Sequence, residues 1–275
     1  MIDRRTCVLA SLIGLSAGWG HVLAQSGSHE FRVGVLRQTA PPSSPQDPAA
    51  TFLPKALAEL GYVEGRNLVI EARRLIGDVE RLPALARDLV QARVDVVVAV
   101  AVSSVRAAVA ASATVPVVFF GNFDPANDFF FRAMAVRAKA LGVQLDRVNV
   151  AAAGELDAAI ERARGGGLVV VGDPMFATNR VLIVELVRRF QVPAMYSSAR
   201  LFMDAGGLMS YLAPDSWHWR SAAGFVDRIL KGAKPADLPV EQPTQFELII
   251  NLKTAKALGI TIPQSVLLRA DEVIQ

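Results

Sequence analysis

A chain of 275 residues, 52% apolar but only 7% aromatic, holds enough material for one large or two modest α/β domains. Its Ala, Val and Leu content suits parallel sheets covered by Ala-rich helices, and disordered and collagen-like classes are excluded. With 29 basic and 26 acidic residues scattered along the chain, the net charge of +3 describes an ordinary solvated surface, and no basic stripe marks a nucleic-acid binder.

Residues 1–24 read as an export signal. Arg4 and Arg5 form the basic start, Cys7 to Ala17 the apolar stretch, and Val22-Leu23-Ala24 a small-residue cleavage site. The paired arginines suit either the twin-arginine or the general route. Gly14, Gly18, Gly20 and His21 interrupt a segment already shorter than the roughly 20 apolar residues a spanning helix needs. Cys7 is the only cysteine and lies ahead of most of the apolar stretch, badly placed for lipidation. A soluble, disulfide-free, periplasmic mature protein without a stable membrane anchor follows, cleaved near Ala24.

From Phe31 onward, short apolar runs alternate with longer amphipathic segments, the pattern of parallel strands joined by crossover helices. The runs predict a strand over Phe31 to Leu36, a helix over Ala49 to Leu60 stopped by Gly61, a strand over Asn67 to Ala72 and a helix over Glu80 to Gln91. Val94 to Val102 and Val115 to Phe120 are continuous apolar stretches and should be buried on both faces, with a short helix over Ser103 to Ser112 between them. A second series follows: helix Asn127 to Leu141, strand Val143 to Val150, helix Glu155 to Arg164, strand Leu168 to Val171, helix Ala177 to Phe190, and strands Ala194 to Ser197 and Leu208 to Tyr211. After a helix over Ser216 to Leu230, the Lys-, Pro- and Gly-rich stretch 231–243 reads as a connection to a last strand, Phe246 to Asn251, and a short helix, Thr254 to Leu258. Two sets of βα units predict two Rossmann-like α/β lobes: a first of residues 25–125 plus about 240–275, and a second of 126–239.

The dinucleotide fingerprint, phosphate loop, zinc-protease helix and nucleophile elbow are all absent, so no cofactor, metal or catalytic residue is expected. Gly165-Gly166-Gly167 precedes a strand and reads as a turn, and His218, beside Trp217 and Trp219, reads as a surface or packing residue. In open α/β sheets ligands bind outside the carboxyl ends of the strands, and four such ends carry polar or aromatic groups. Ser103 and Ser104 start a helix whose hydroxyls and free N–H groups suit an anion, and Gly121-Asn122-Phe123-Asp124-Pro125 ends the next strand. Gly172-Asp173-Pro174-Met175-Phe176 and Ser197-Ser198-Ala199-Arg200 end two more. Carboxylates from Asp124 and Asp173 and the helix start could hold a zwitterion, with Phe123, Phe176, Tyr196 and Tyr211 packing its apolar part. An Asp followed by Pro is equally a helix cap with proline at the first helical position, and the two roles can coexist.

The stretches LAELGYVEGRNLVIE (57–71), GDVERLPALARDLV (77–90), GDPMF (172–176), GGLMSY (206–211) and the segment 230–274 resemble the ABC transporter substrate-binding protein family that includes tryptophan- and aromatic-amino-acid-type binders. The resemblance implies a type I periplasmic-binding fold with solute between two lobes, a permease and an ATPase as partners, and a monomer. The strand ends read above supply the candidate ligand site: Ser103, Ser104, Asn122, Asp124, Asp173, Phe176, Tyr196, Arg200 and Tyr211. One departure is visible: Asp124-Pro125-Ala126-Asn127 joins two Pro-containing turns that the family keeps apart, a loss on the order of 50 residues, about two βα units. The second lobe is therefore expected to be incomplete and solute binding weakened or lost. A ligand-sensing module for a membrane receptor and a doubly wound α/β enzyme are the alternative readings.

Overall fold

The computed structural model describes residues 30–38, 47–120, 128–197 and 199–275. The export signal, Asn122 and the 124–127 junction lie outside them. The chain forms two sheets. The first is built from β1 (Phe31–Gln38), β2 (Leu68–Leu75), β3 (Val96–Val100) and β4 (Val117–Phe120), all parallel and in the order β2-β1-β3-β4. Its crossovers are α1 (Pro48–Glu59), α2 (Leu82–Gln91) and α3 (Val102–Ala111). β3 holds the centre because Val96, Val97, Val98 and Ala99 are buried on both faces, as the unbroken apolar run predicts. One face packs Val33, Val35, Val96 and Val98 against Leu53 and Leu57 of α1. The other packs Leu36, Val97 and Ala99 against Leu82 and Leu89 of α2 and Val105 of α3. Each such side chain removed from water contributes about 1.5–3 kcal/mol.

The second half contains α4 (Asp128–Ala140), α5 (Leu156–Glu161), β5 (Leu168–Val170), α6 (Pro174–Thr178), α7 (Arg180–Arg189), β6 (Ala194–Tyr196), α8 (Ala199–Asp204) and β7 (Met209–Leu212). There follow α9 (Asp215–Leu230), β8 (Glu247–Asn251), α10 (Leu252–Ala257), α11 (Gln264–Leu267) and β9 (Glu272–Ile274). The sheet runs β5-β6-β7-β8-β9 and is mixed rather than wholly parallel, because β8 pairs antiparallel to β7. Leu156, Ile160, Ile183, Leu186, Val187 and Phe202 cover one face of this sheet. The other is covered at its far end by Ala255 and Ile262 over Ile250.

Four expectations are corrected. Residues 143–150 form no strand: the apolar alternation of Val143 and Leu145 slips phase at Arg147 before Val148 and Val150, no strand among the described residues offers it a ladder, and an unpaired strand does not persist in water. Among the described residues that leaves β5 at the edge of the sheet, with Val169 37% exposed. The terminal segment, expected with the first lobe, joins the second sheet. Ile249 and Ile250 are buried, and β8 satisfies its backbone on both sides through β7 and β9. Conversely α9, expected in the second lobe, packs on α1 and on β3 and β4 of the first sheet. Its stripe of Trp219, Ala222, Ala223 and Val226 fills the half of that face α1 leaves bare. The helix expected over 177–190 is two, broken at Asn179, whose amide donates to the Met175 carbonyl at 2.8 Å.

Candidate functional site

The carboxyl end of the first sheet gathers charge that the apolar strands beneath it cannot neutralise. Arg37 leaves the end of β1 with its side chain 12% exposed and ion-pairs Asp47, which also receives Arg74 at 3.1 Å. Asp47 is fixed by a second duty, capping α1 through a bond from the Ala49 N–H at 2.9 Å. Burial draws the Arg37 pKa down while Asp47 opposes it, a balance a guanidinium survives without losing its proton. From the start of α9, Asp215 and His218 reach the same region. Burial raises the Asp215 pKa and lowers that of His218, and their mutual attraction only partly offsets each shift; Arg37 also acts on Asp215. The imidazole of His218 lies flat on Phe120 at the end of β4, centroids 5.4 Å apart, while Trp219 meets Phe120 edge-on at 4.8 Å.

Two buried polar atoms at this end have no partner among the described residues: Arg37 Nε and Ser104 Oγ. Ser104 is fully buried in the first turn of α3. No side chain caps that helix, so its leading N–H groups remain open to an acceptor. The turn that aims it passes through Ala101 at φ 71°, a left-handed conformation costly for a residue with a Cβ. Buried donors without acceptors cost about 1–3 kcal/mol each, so a polar group seated at this end would meet donors already free to bind it.

The corresponding end of the second sheet is simpler. Asp173 is exposed and caps α6, accepting from the Met175 N–H at 2.7 Å. Phe176 is half-buried against the core under β5 and β6. The β5–α6 and β6–α8 turns meet where Gly172 lies against Ser197; a Cβ on Gly172 would stand 3.5 Å from the Ser197 hydroxyl. Arg200 is exposed and forms a two-pronged pair with Glu272, one contact at 3.0 Å.

Of the predicted site residues, Ser103 and Ser104 stand together in the first turn of α3, and Asp173 and Phe176 at the end of β5. Asn122 and Asp124 lie outside the described residues. Tyr196 is corrected: its ring is fully buried and stacked on Phe202 at 4.5 Å inside the core of the second sheet, so it packs that core. Tyr211 is half exposed and stacks on Phe246 at 5.4 Å. The sequence reading passed over Arg37, Asp47 and Asp215. Arg37 directly follows the apolar run ending at Leu36, so the strand-end rule applied to β1 would have found it; Asp215 follows Pro214 at a helix start. Two cavities of about 420 and 410 Å³ lie elsewhere, on the outer side of α9 near Arg220 and Glu241, and between α7 and α10. Neither touches the strand ends of the first sheet that carry Arg37, Ser104 and Phe120.

Among the described residues no cluster of His, Cys, Asp or Glu is placed to hold a metal, and no helix is long and apolar enough to cross a membrane. The sequence matches the ABC transporter substrate binding protein family in two segments, residues 46–130 and 130–274. Among solved structures, an ABC domain in complex with L-Trp from Streptococcus pneumonia superposes with a TM-score of 0.79 at 21% identity, over 89% of this chain and 100% of that one. A conserved domain protein from Vibrio cholerae gives 0.75 at 20% identity, over 88% and 99% of the two chains. A ligand-free, open substrate binding protein with adhesive properties from Clostridium difficile gives 0.63 at 16% identity, over 89% and 99%. No curated protein matches the chain. These likenesses establish the two-lobed α/β architecture of the type I periplasmic-binding class.

Proposed function

The chain belongs to the ABC transporter substrate-binding protein family, and on that premise we propose that it captures a small solute between its two lobes and delivers it to the permease and ATPase of an importer. The observation that carries this reading is the pair of orphaned buried groups, Arg37 Nε and Ser104 Oγ, at the carboxyl end of the first sheet. An uncapped helix start beside them offers further donors, and Phe120 with His218 and Trp219 supplies an aromatic surface. That combination suits an amino-acid-like or aromatic solute with one acidic group. Binding shifts an open-to-closed equilibrium by differential affinity, and no covalent step is needed.

The protein works as an exported monomer in this reading. Its affinity is reduced by loss of about two βα units, a loss supported by the unpaired stretch 143–150, the open edge of β5, and a family match that breaks at residue 130. Thermal-shift titration of the purified mature protein with aromatic and branched amino acids tests it. A solute present at 100 times its Kd stabilises by about 2.7 kcal/mol. A flat response to every such compound up to 10 mM, on the order of the weakest affinity useful for capture, would overturn the reading.

A further inference from the structure

We propose that the cleft between α7 and α10 is a second small-molecule site, which takes an aromatic carboxylate bearing an oxygen at the end opposite its acid group. The cleft holds about 410 Å³. A cavity of about 150 Å³ already admits a benzene ring, so there is room for two fused rings and their substituents. Helical spacing builds the walls. Val181, Val184 and Arg188 recur at three and four residues along one side of α7, while Lys253 with Ala257, and Thr254 with Leu258, line the opposite wall from α10 and its cap. The loop between α8 and β7 spaces the two. The Thr254 hydroxyl donates to the Gly206 carbonyl at 2.8 Å, tying α10 to that loop, and a Cβ at Gly206 would stand 3.8 Å from Val184 Cγ1.

Two kinds of polar group in this lining go unanswered among the described residues. Tyr196, whose ring belongs to the core, also stands in the cleft wall; it is fully buried and its hydroxyl has no partner there. Arg188 and Lys253 are exposed, on opposite walls, and neither joins an ion pair, while Glu185 is the single acid of the lining. The solvent side of the cleft thus carries two positive charges against one negative, and its buried side carries a free hydroxyl. Val184, Leu208 and Leu258 supply apolar surface. Exposed cations alone hold an anion weakly. Here a carboxylate gains charge-assisted bonds from Arg188 and Lys253, the rings displace water from the apolar wall, and an oxygen at the far end accepts from Tyr196.

The cleft includes none of the residues at the strand ends of the first sheet, so this site stands or falls apart from solute capture. Full-length mature protein is titrated by calorimetry with 6-hydroxy-2-naphthoate, 2-naphthoate and 2-naphthol. The wild type should bind the hydroxy acid best, with affinity falling by about threefold to tenfold when either oxygen group is missing. Arg188→Gln combined with Lys253→Gln, both at exposed positions, should cost the two acids about tenfold and leave 2-naphthol unchanged. Ala257→Phe should fill the cleft and abolish binding of all three. Tyr196→Phe should erase the preference for the hydroxy acid over 2-naphthoate while still binding both. Circular-dichroism melts verify that each variant is folded, and the double glutamine variant carries the test if Ala257→Phe is not. Wild-type affinity for the hydroxy acid in a folded Ala257→Phe or in the double variant overturns the proposal. So does a preference that survives Tyr196→Phe, or a wild type that binds no hydroxy acid at about 1 mM.

Discussion

Replacing Gly207 with alanine probes whether Tyr196 is locked in the core. A Cβ built at Gly207 stands 2.8 Å from Tyr196 Cε2 and 2.9 Å from the Phe202 carbonyl oxygen. Neither neighbour yields easily: the Tyr196 ring is clamped in its stack on Phe202, and the carbonyl belongs to the α8 backbone. Overpacking of this kind costs about 2–3 kcal/mol. At roughly 2–4 °C per kcal/mol for a chain of this size, Gly207→Ala should lower the melting temperature by about 4–12 °C. Combining it with Tyr196→Leu should recover only part of the loss, because the Phe202 carbonyl stays in place. Tyr196→Phe alone should be neutral or stabilising by up to about 1 kcal/mol, since it removes a buried hydroxyl with no partner. Differential scanning calorimetry of the four proteins decides the matter. An unchanged melting temperature for Gly207→Ala would mean that the ring can swing away, which would restore Tyr196 as a solute contact.

Asp173→Ala should destabilise by about 1 kcal/mol through loss of the α6 cap, with Asp173→Ser recovering most of it, measured by urea denaturation; equal stability of all three would remove the capping role. Tyr62 donates to Asp227 at 2.9 Å, and burial, then that bond, pushes its pKa up to about 12. Because the raised value favours the neutral phenol in the folded protein, its stabilisation is complete below the unfolded pKa near 10. It fades as pH rises toward 12, so melting temperatures should fall over that window and fall less in Tyr62→Phe. Amide hydrogen exchange should find residues 143–150 unprotected beside a protected β6; equal protection would show a ladder there after all.

Much of the architecture was legible in local pattern. Continuous apolar runs located β3 and β4, and the alternation of strands and amphipathic segments fixed the α/β class. What escaped is what depends on partners distant along the chain. The stripe on α9 declares a buried face, but Trp219 and Val226 would suit either sheet, and only the vacancy beside α1 selects the first. The apolar residues of 143–150 suit a strand by type, but their alternation slips at Arg147 and among the described residues they have no neighbour to pair with. β9 and α11 are too short to stand out from noise, and α8 follows a serine pair read as loop. In the candidate site, the helix-start positions of Ser104 and Asp173 were legible because hydroxyls and carboxylates there have a local signature. The company of Arg37, Asp215 and His218 forms only when α9 returns across the molecule to β1 and β4.

That return has a bearing on how the polypeptide matures. β1 to β4 emerge from the ribosome well before the helix that closes their exposed side, and Val33, Val35 and Val98 wait for Trp219 and Val226. Non-local closure of this sort is slow and tolerates no early termination. A chain halted at Pro214 would carry a sheet whose face is covered by α1 alone, so the first sheet cannot complete its core until residue 230 has been made.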